Sequence, residues 1–354
     1  MRTKPNNPFS FQIKKHLKNY LMSGLLAIAL SVVFWTQHSV QEIRSPGNET
    51  AVELYANQIH DDLTSTYTAA IGSAKESIVL VVYSLTDPQI ISSLRKKSME
   101  GVTVRVTCDA KASPYIDSKL GPKIITVRRF GPGLMHQKML VIDGKQTWIG
   151  SANMTTESLR MHGNLIASID DEPFAQAITN KAQTLKVEGH NKPFPHQNFL
   201  IGGQQLELWF LPDNSGAIAR LKEMIRSAKK TIRVAMFTWT RQDLAYEIIK
   251  ASRKGVDAEI VIDHYSGKGA SIKIVKLLKE SGISVALSRG GPLLHHKFLY
   301  IDGKELVNGS ANWTKAAFTA NDDCFFILHD LTKEQHAHME ALWKTIKEDS
   351  ILEK

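Results

Sequence analysis

One stretch of this chain occurs twice. Residues 136–155 read HQKMLVIDGKQTWIGSANMT and residues 295–314 read HHKFLYIDGKELVNGSANWT, identical at 12 of 20 positions without a gap. Each copy holds His-x-Lys, four mostly apolar residues, Asp-Gly-Lys and then Gly-Ser-Ala-Asn. One histidine at the head of each copy implies a single site built from both. The duplication runs beyond the copies. Glu53-Leu54-Tyr55 answers Glu207-Leu208-Trp209, and Ser73-Ala74-Lys75 answers Ser227-Ala228-Lys229, both at an offset of 154.

Local patterning gives each half the same order of elements. Residues 77–85 and 231–239 are apolar runs that suit strands, and residues 88–99 and 244–253 alternate as amphipathic helices. Gly101 and Gly255 close those helices before new strands at 104–108 and 258–262, so each half contains a β-α-β unit with a parallel strand pair. Beyond Asp109 and Asp263 the offset grows to 159, because residues 265–282 of the second half carry five more residues. A helix is expected there over 271–279, shaping access to the site. Within each copy, residues 139–142 and 298–301 suit buried strands, and Asp143-Gly144 and Asp302-Gly303 suit tight hairpin turns. Residues 187–203 show no periodicity and read as the connection between halves. The helix expected over 333–347 answers one over 175–186.

His and Lys two apart on a strand project from one face, so an imidazole and an ammonium meet the same ligand. A phosphate satisfies both, and Gly-Ser-Ala-Asn adds amides, a hydroxyl and a carboxamide. The pair of copies resembles the phospholipase D superfamily, whose signature is His-x-Lys-x4-Asp followed by Gly-Ser-x-Asn. The resemblance covers residues 54–346 and matches both copies at every fixed position. It implies an α/β fold of two pseudo-symmetric lobes, each a mixed β-sheet flanked by helices, with both motifs at one cleft and no second copy of the chain required. It also implies a two-step reaction through a phosphohistidine that water or an alcohol then cleaves.

On this reading the catalytic candidates are His136, Lys138, Asp143, His295, Lys297, Asp302 and Asp323, with Ser151, Asn153, Ser310 and Asn312 binding the substrate phosphate. Asp143 and Asp302 have a second reading as turn residues, since Asp before Gly is what a hairpin favours. Eleven residues after each motif Asn the superfamily often has a carboxylate; here the second copy has Asp323 and the first has Asn164. Asp323 is expected beside His295, raising its pKa for general-acid work, and Asn164 beside His136, the expected nucleophile. Tyr83, Phe237 and Trp239 end the first strands and suit either a substrate pocket or the core. No metal-binding spacing is present, and neither metal nor cofactor is expected. Cys108 and Cys324 sit in apolar strand contexts and read as buried free thiols.

Composition bounds the partner. At 354 residues, 43% hydrophobic and 22% charged, the chain is an ordinary globular protein. Of its net charge of +9, five units lie in the first twenty residues (Arg2, Lys4, Lys14, Lys15, Lys18), leaving +4 for the rest. That mildly basic body suits an anionic substrate without the dense basic surface of a duplex-DNA binder. Residues 19–41 contain no Asp, Glu, Lys or Arg, and no small-residue cleavage site follows the apolar core. The expected division is a basic cytoplasmic flank (1–20), a transmembrane anchor or uncleaved signal (21–38), a tether (39–51), a first lobe (52–187), a linker (188–204) and a second lobe (205–354). The positive-inside rule puts the body on the non-cytoplasmic side, periplasmic or exported. The expected activity is a phospholipase D-type phosphodiesterase acting on membrane phospholipid. The alternatives are a metal-independent nuclease of the same superfamily, acting on nucleic acid, and a cardiolipin synthase-like phosphatidyltransferase.

Overall fold

A computed structural model describes residues 51–189 and 192–353. The expected anchor and nearly all of the tether lie outside the described residues. Among the described residues no helix is long and apolar enough to cross a membrane.

Each repeat builds one mixed sheet. The first contains β1 (Val52–Ala56), β2 (Ser77–Val82), β3 (Thr103–Asp109), β4 (Ile125–Arg129), β5 (Lys138–Ile142), β6 (Gln146–Gly150) and β7 (Leu165–Asp170), in the order β1-β7-β6-β5-β2-β3-β4. β2, β3 and β4 run parallel, and the remaining pairs are antiparallel. The second contains β8 (Gln197–Ile201), β9 (Gln204–Leu211), β10 (Thr231–Met236), β11 (Asp257–Ile262), β12 (Ser284–Ser288), β13 (Lys297–Ile301), β14 (Glu305–Gly309), β15 (Asp323–Leu328) and β16 (Ser350–Leu352). Their order is β16-β12-β11-β10-β13-β14-β15-β9-β8, again with a parallel trio, β10 to β12.

The crossover helices are specified locally. In α1 (Pro88–Met99) the Asp87 carboxylate accepts from the Gln89 and Ile90 amides, Pro88 opens the first turn, and Ile90, Ile91 and Leu94 form the buried face. Gly101, at φ 95°, ends it in a conformation that a side chain would disfavour. Its counterpart α2 (Gln242–Ser252) buries Leu244, Ala245, Ile248 and Ile249. The longer segment of the second half folds as two helices, His264–Lys268 and Ile272–Glu280.

One core cluster crosses the boundary between lobes, with Met139, Val141, Ile149 and Ala167 from the first sheet joined to Phe298, Tyr300, Leu306 and Phe326 from the second. Each buried aromatic of this kind stabilises by about 1.5–3 kcal/mol relative to exposure, so the lobes are held face to face by their own cores. The expected linker, residues 188–204, contains regular structure. Its second half is β8, an edge strand turned by Gly202-Gly203 at φ 56° and 83°, the two positive values that a two-residue hairpin turn needs. Phe199 of that strand packs on Phe174, with ring centroids 5.1 Å apart. A five-residue strand preceded by two prolines is too short to show its alternation in sequence. Cys108 and Cys324 are buried and free.

Candidate active site

Lys138 opens β5 opposite Val82, and Lys297 opens β13 opposite Met236, so both His-x-Lys segments lie where the parallel strands end. Two backbone exchanges then join the lobes. The His136 amide donates to Asp322 O (2.8 Å) and the Asp322 amide to Leu134 O (2.8 Å). In the pseudo-symmetric copy, the His295 amide donates to Gly163 O (2.9 Å) and the Gly163 amide to Leu293 O (2.8 Å). Asp109 and Asp263 support the same segments from within each lobe, their carboxylates accepting from the Met135 and Leu294 amides at 3.1 Å.

This stitching reverses the expected pairing. The residue after Asp322 is Asp323 and the residue after Gly163 is Asn164, so each histidine is oriented from the opposite lobe. His136 Nδ1 lies 2.7 Å from Asp323 Oδ1, and His295 Nδ1 lies 3.0 Å from Asn164 Oδ1. Asn164 Nδ2 already donates to Ser158 O (2.8 Å) and His162 O (3.1 Å), which fixes its amide with the oxygen toward His295. Both imidazoles therefore face an acceptor at Nδ1, carry hydrogen there, and leave Nε2 with its lone pair.

The two serines have a different place from the one expected. Ser151 and Ser310 are fully buried, their hydroxyls donating to Asn164 Oδ1 (2.9 Å) and Asp323 Oδ1 (2.7 Å) while accepting the Leu165 and Cys324 amides (3.1 and 3.0 Å). They position the residues that position the histidines and are not available to a substrate. Asn153 and Asn312 are half-buried. The Asn153 Oδ1 has no partner among the described residues, and Asn312 Oδ1 accepts from the Thr238 amide at 3.3 Å. The glycines before the serines are required by strand approach: a Cβ on Gly150 would sit 2.4 Å from Leu165 O, and one on Gly309 2.4 Å from Cys324 O.

Asp143 and Asp302 do not belong to the catalytic group. They occupy the hairpin turns at φ 51° and 54°, at the far end of five-residue strands and seven residues from each histidine, roughly 23 Å at the usual strand rise. Each carboxylate accepts three backbone amides: Lys75, Glu76 and Ser77 at 2.8–2.9 Å for Asp143, and Lys229, Lys230 and Thr231 at 2.7–2.8 Å for Asp302. They clamp the turn to the segments that lead into β2 and β10. Asp143→Ala should lower stability by about 1–3 kcal/mol, read from denaturant midpoints, with kcat changed less than about tenfold. A loss of kcat at unchanged stability would return Asp143 to the chemistry.

The lysines set the electrostatics. Lys138 and Lys297 are 2% and 3% exposed, and each donates to the neutral carbonyl of the histidine two residues before it, at 2.5 and 2.6 Å. Their ammonium groups lie 5.4 Å from the Tyr83 ring centroid and 4.9 Å from that of Phe237. Those two rings also contact His136 and His295, so they line the site, whereas Trp239 is fully buried against Trp313 in the core. Burial pushes Lys138 down to about 7, and burial followed by repulsion from Lys138 holds Lys297 well below its ordinary value. His136 is lowered by burial and by Lys138, against the opposing pull of Asp323. His295 has the Asn164 amide at Nδ1 where His136 has a carboxylate, and it is held well below its ordinary value by burial, then Lys297 and Lys138. Burial acts to raise Asp323, but His136, Lys138 and Ser310 keep it below the usual carboxylate range. Cations crowded in low dielectric call for an anion, and an anion entering here raises every one of these lowered values.

Sequence reasoning passed over the positioning roles of Asp109 and Asp263, whose only signal is their matched place at the ends of β3 and β11. It also missed a buried ion pair between Arg129 and Asp322, which locks the segment beside His136. His162, whose ring centroid is 6.4 Å from that of His295, lies outside both motifs.

A family model described as "Cardiolipin synthase, PLD-like domain" matches residues 67–186 and 221–343. The mitochondrial cardiolipin hydrolase of Chlamydomonas reinhardtii is 32% identical over 133 residues, 37% of this chain and 59% of that protein. Cardiolipin synthase 1 of Bacillus anthracis is 28% identical over 131 residues, 34% of this chain and 26% of that protein. The chain thus spans about three fifths of the length of the hydrolase and less of the synthase. The crystal structure of phosphatidylserine synthase from Haemophilus influenzae superposes with a TM-score of 0.68 at 13% identity, covering 89% of this chain and 90% of that one, and shares the two-lobed fold. With both repeats matched by one model, the chain belongs to the phospholipase D-like family that model describes.

Proposed function

We propose that the protein is a phospholipase D-type phosphodiesterase that opens or exchanges the phosphodiester of a membrane phospholipid. The observation that carries this reading is the pair of buried lysines bonded to neutral carbonyls, set between two imidazoles that each offer Nε2. The site has charge for one phosphate and a nucleophile and an acid on either side of it.

His136 is the nucleophile in this reading. Attack by its Nε2 on phosphorus forms an N–P bond and leaves the ring cationic, because Nδ1 keeps its hydrogen. The Asp323 carboxylate, 2.7 Å away, stabilises that cation. The roles are those expected from the sequence, but on the opposite physical ground: a carboxylate favours the charged adduct instead of an amide preserving the neutral ring. His295 protonates the leaving oxygen as its P–O bond breaks. Its depressed pKa makes it a strong acid once the bound phosphate has lifted it enough to hold a proton. Lys138, Lys297, Asn153 and Asn312 stabilise the anionic oxygens in the transition state. Water or an alcohol then attacks phosphorus, His295 takes its proton, and the electron pair of the N–P bond returns to His136.

The phospholipid choice rests on the named activities of the relatives, on the modest charge of the body and on the uncharged N-terminal segment. With the body held outside the cytoplasm by residues 21–38, the cleft would meet lipid headgroups at the bilayer surface. The test is a parallel product assay of the full chain on phospholipid vesicles, single-stranded DNA and RNA. Release or exchange of headgroup from vesicles, with nucleic acid cut poorly, is expected; cleavage of nucleic acid with none of vesicles would replace phospholipid by nucleic acid as substrate. Activity should also persist in EDTA, since the charge at the phosphate comes from lysine and imidazolium. Loss in EDTA that a divalent ion restores would overturn the mechanism.

A further inference from the structure

His162 is a third imidazole at this site, and the twofold pattern does not account for it. Its pseudo-symmetric position, 159 residues on, is Asn321. Asn321 is tied into the scaffold: its Oδ1 accepts from the Leu134 amide at 3.1 Å and its Nδ2 donates to Asp323 Oδ2 at 3.4 Å. The His162 carbonyl is similarly used, accepting from Asn57 (2.5 Å) and Asn164 (3.1 Å), but its ring makes no hydrogen bond among the described residues. That ring is half-buried, tilted 44° to His295. Its distance from His295 is set by Gly163, whose amide and carbonyl both bridge the lobe boundary, to Leu293 and to His295 itself. The ring lies on the side of His295, not of His136, whose neighbours are Tyr83, Asp323 and Lys138.

Burial holds the His162 ring below its ordinary pKa; Glu157 and Asp263 oppose this, and Lys297 adds to it. At neutral pH it is a neutral imidazole, with one N–H donor and one lone-pair acceptor.

We propose that His162 orients the water that hydrolyses the phosphohistidine, and so sets the balance between hydrolysis and transfer to an alcohol. This rests on the two-step reading above. In the second step the attacking oxygen bonds to phosphorus, the N–P bond to His136 breaks, and one O–H proton passes to His295 Nε2. Water keeps a second hydrogen, which needs an acceptor beside the buried His295. His162, beside His295, accepts that hydrogen bond without taking the proton, which stays on the new phosphate oxygen. An alcohol has carbon in that place and donates nothing to His162. The residue therefore favours water over alcohol at the same intermediate.

The test uses the full chain with bis(p-nitrophenyl) phosphate in aqueous methanol, separating p-nitrophenyl phosphate from its methyl ester. Both products come from one intermediate, so their ratio does not depend on how much enzyme is folded or how fast the first step runs. His162→Ala and His162→Phe should each raise the transfer-to-hydrolysis ratio about tenfold, the scale of one buried hydrogen bond. His162→Gln, which keeps an acceptor, should return it toward the parent value. An unchanged ratio in both variants, with the parent forming both products, overturns the proposal and leaves the two-step reading intact. No methyl ester from any protein, together with no phosphoryl label on His136, overturns the two-step reading and the proposal with it.

Discussion

Asp323→Asn should lower turnover by about 10³–10⁴-fold, the cost found when an orienting carboxylate becomes an amide and the imidazole adopts the wrong tautomer. Asp323 is fully buried and accepts from Nδ1 of His136 and from the Ser310 hydroxyl. An amide at this position can turn its NH₂ toward Nδ1, which moves the ring hydrogen to Nε2 and removes the lone pair that the proposed mechanism directs at phosphorus. It also cannot stabilise the cationic adduct. The defect lies in the nucleophile, so a good leaving group should not relieve it. A p-nitrophenyl diester should relieve His295→Asn instead, because that leaving group needs no proton. Rescue of Asp323→Asn by the activated diester would place Asp323 with the acid and restore the pairing expected from sequence.

Lys138→Met and Lys297→Met should each cost at least about 10²-fold in kcat, the usual weight of one donor aimed at a developing oxyanion. Methionine keeps the length and burial of the stem, so packing against Tyr83 or Phe237 is retained. The second of these changes has a titration signature of fixed sign. After burial, the Lys297 charge is the largest cause of the depressed His295 pKa. Removing a positive neighbour makes protonation easier, so the His295 midpoint in Lys297→Met must move upward, which imidazole proton shifts can follow in the free enzyme. A downward movement, or kcat within a few-fold of the parent, would remove Lys297 from the site.

Much of this arrangement is legible in the chain, because it depends on local spacing. His136 and Lys138 are two apart on a strand, the β-α-β units follow from apolar runs and glycine stops, and the offset of 154 residues relates one lobe to the other. What was not legible depends on contacts across large separations. Asp323 is 187 residues from His136, and Asn164 is 131 from His295. Nothing local says that each arm reaches into the other lobe; the exchange of backbone bonds between 134–136 and 322, and between 293–295 and 163, decides it. The same holds for Asp143, whose partners are amides 66–68 residues earlier. A motif aspartate and a turn aspartate look alike until those amides are seen. Ser151 and Ser310 misled for a related reason: a hydroxyl beside Gly and Asn suits an anion as well as it suits a buried carboxylate or amide.

On the proposed mechanism two lobes form one phosphodiester site in which His136, held by Asp323 from across the lobe boundary, takes the phosphoryl group. Rapid quench of His295→Asn with a radiolabelled phosphodiester bearing an activated leaving group tests it most directly, since the first step can proceed and the second lacks its base. Peptide mapping should find the label on His136 and none in the corresponding His136→Asn protein. Label on His295 in His136→Asn, with His136 unlabelled in His295→Asn, would contradict the account.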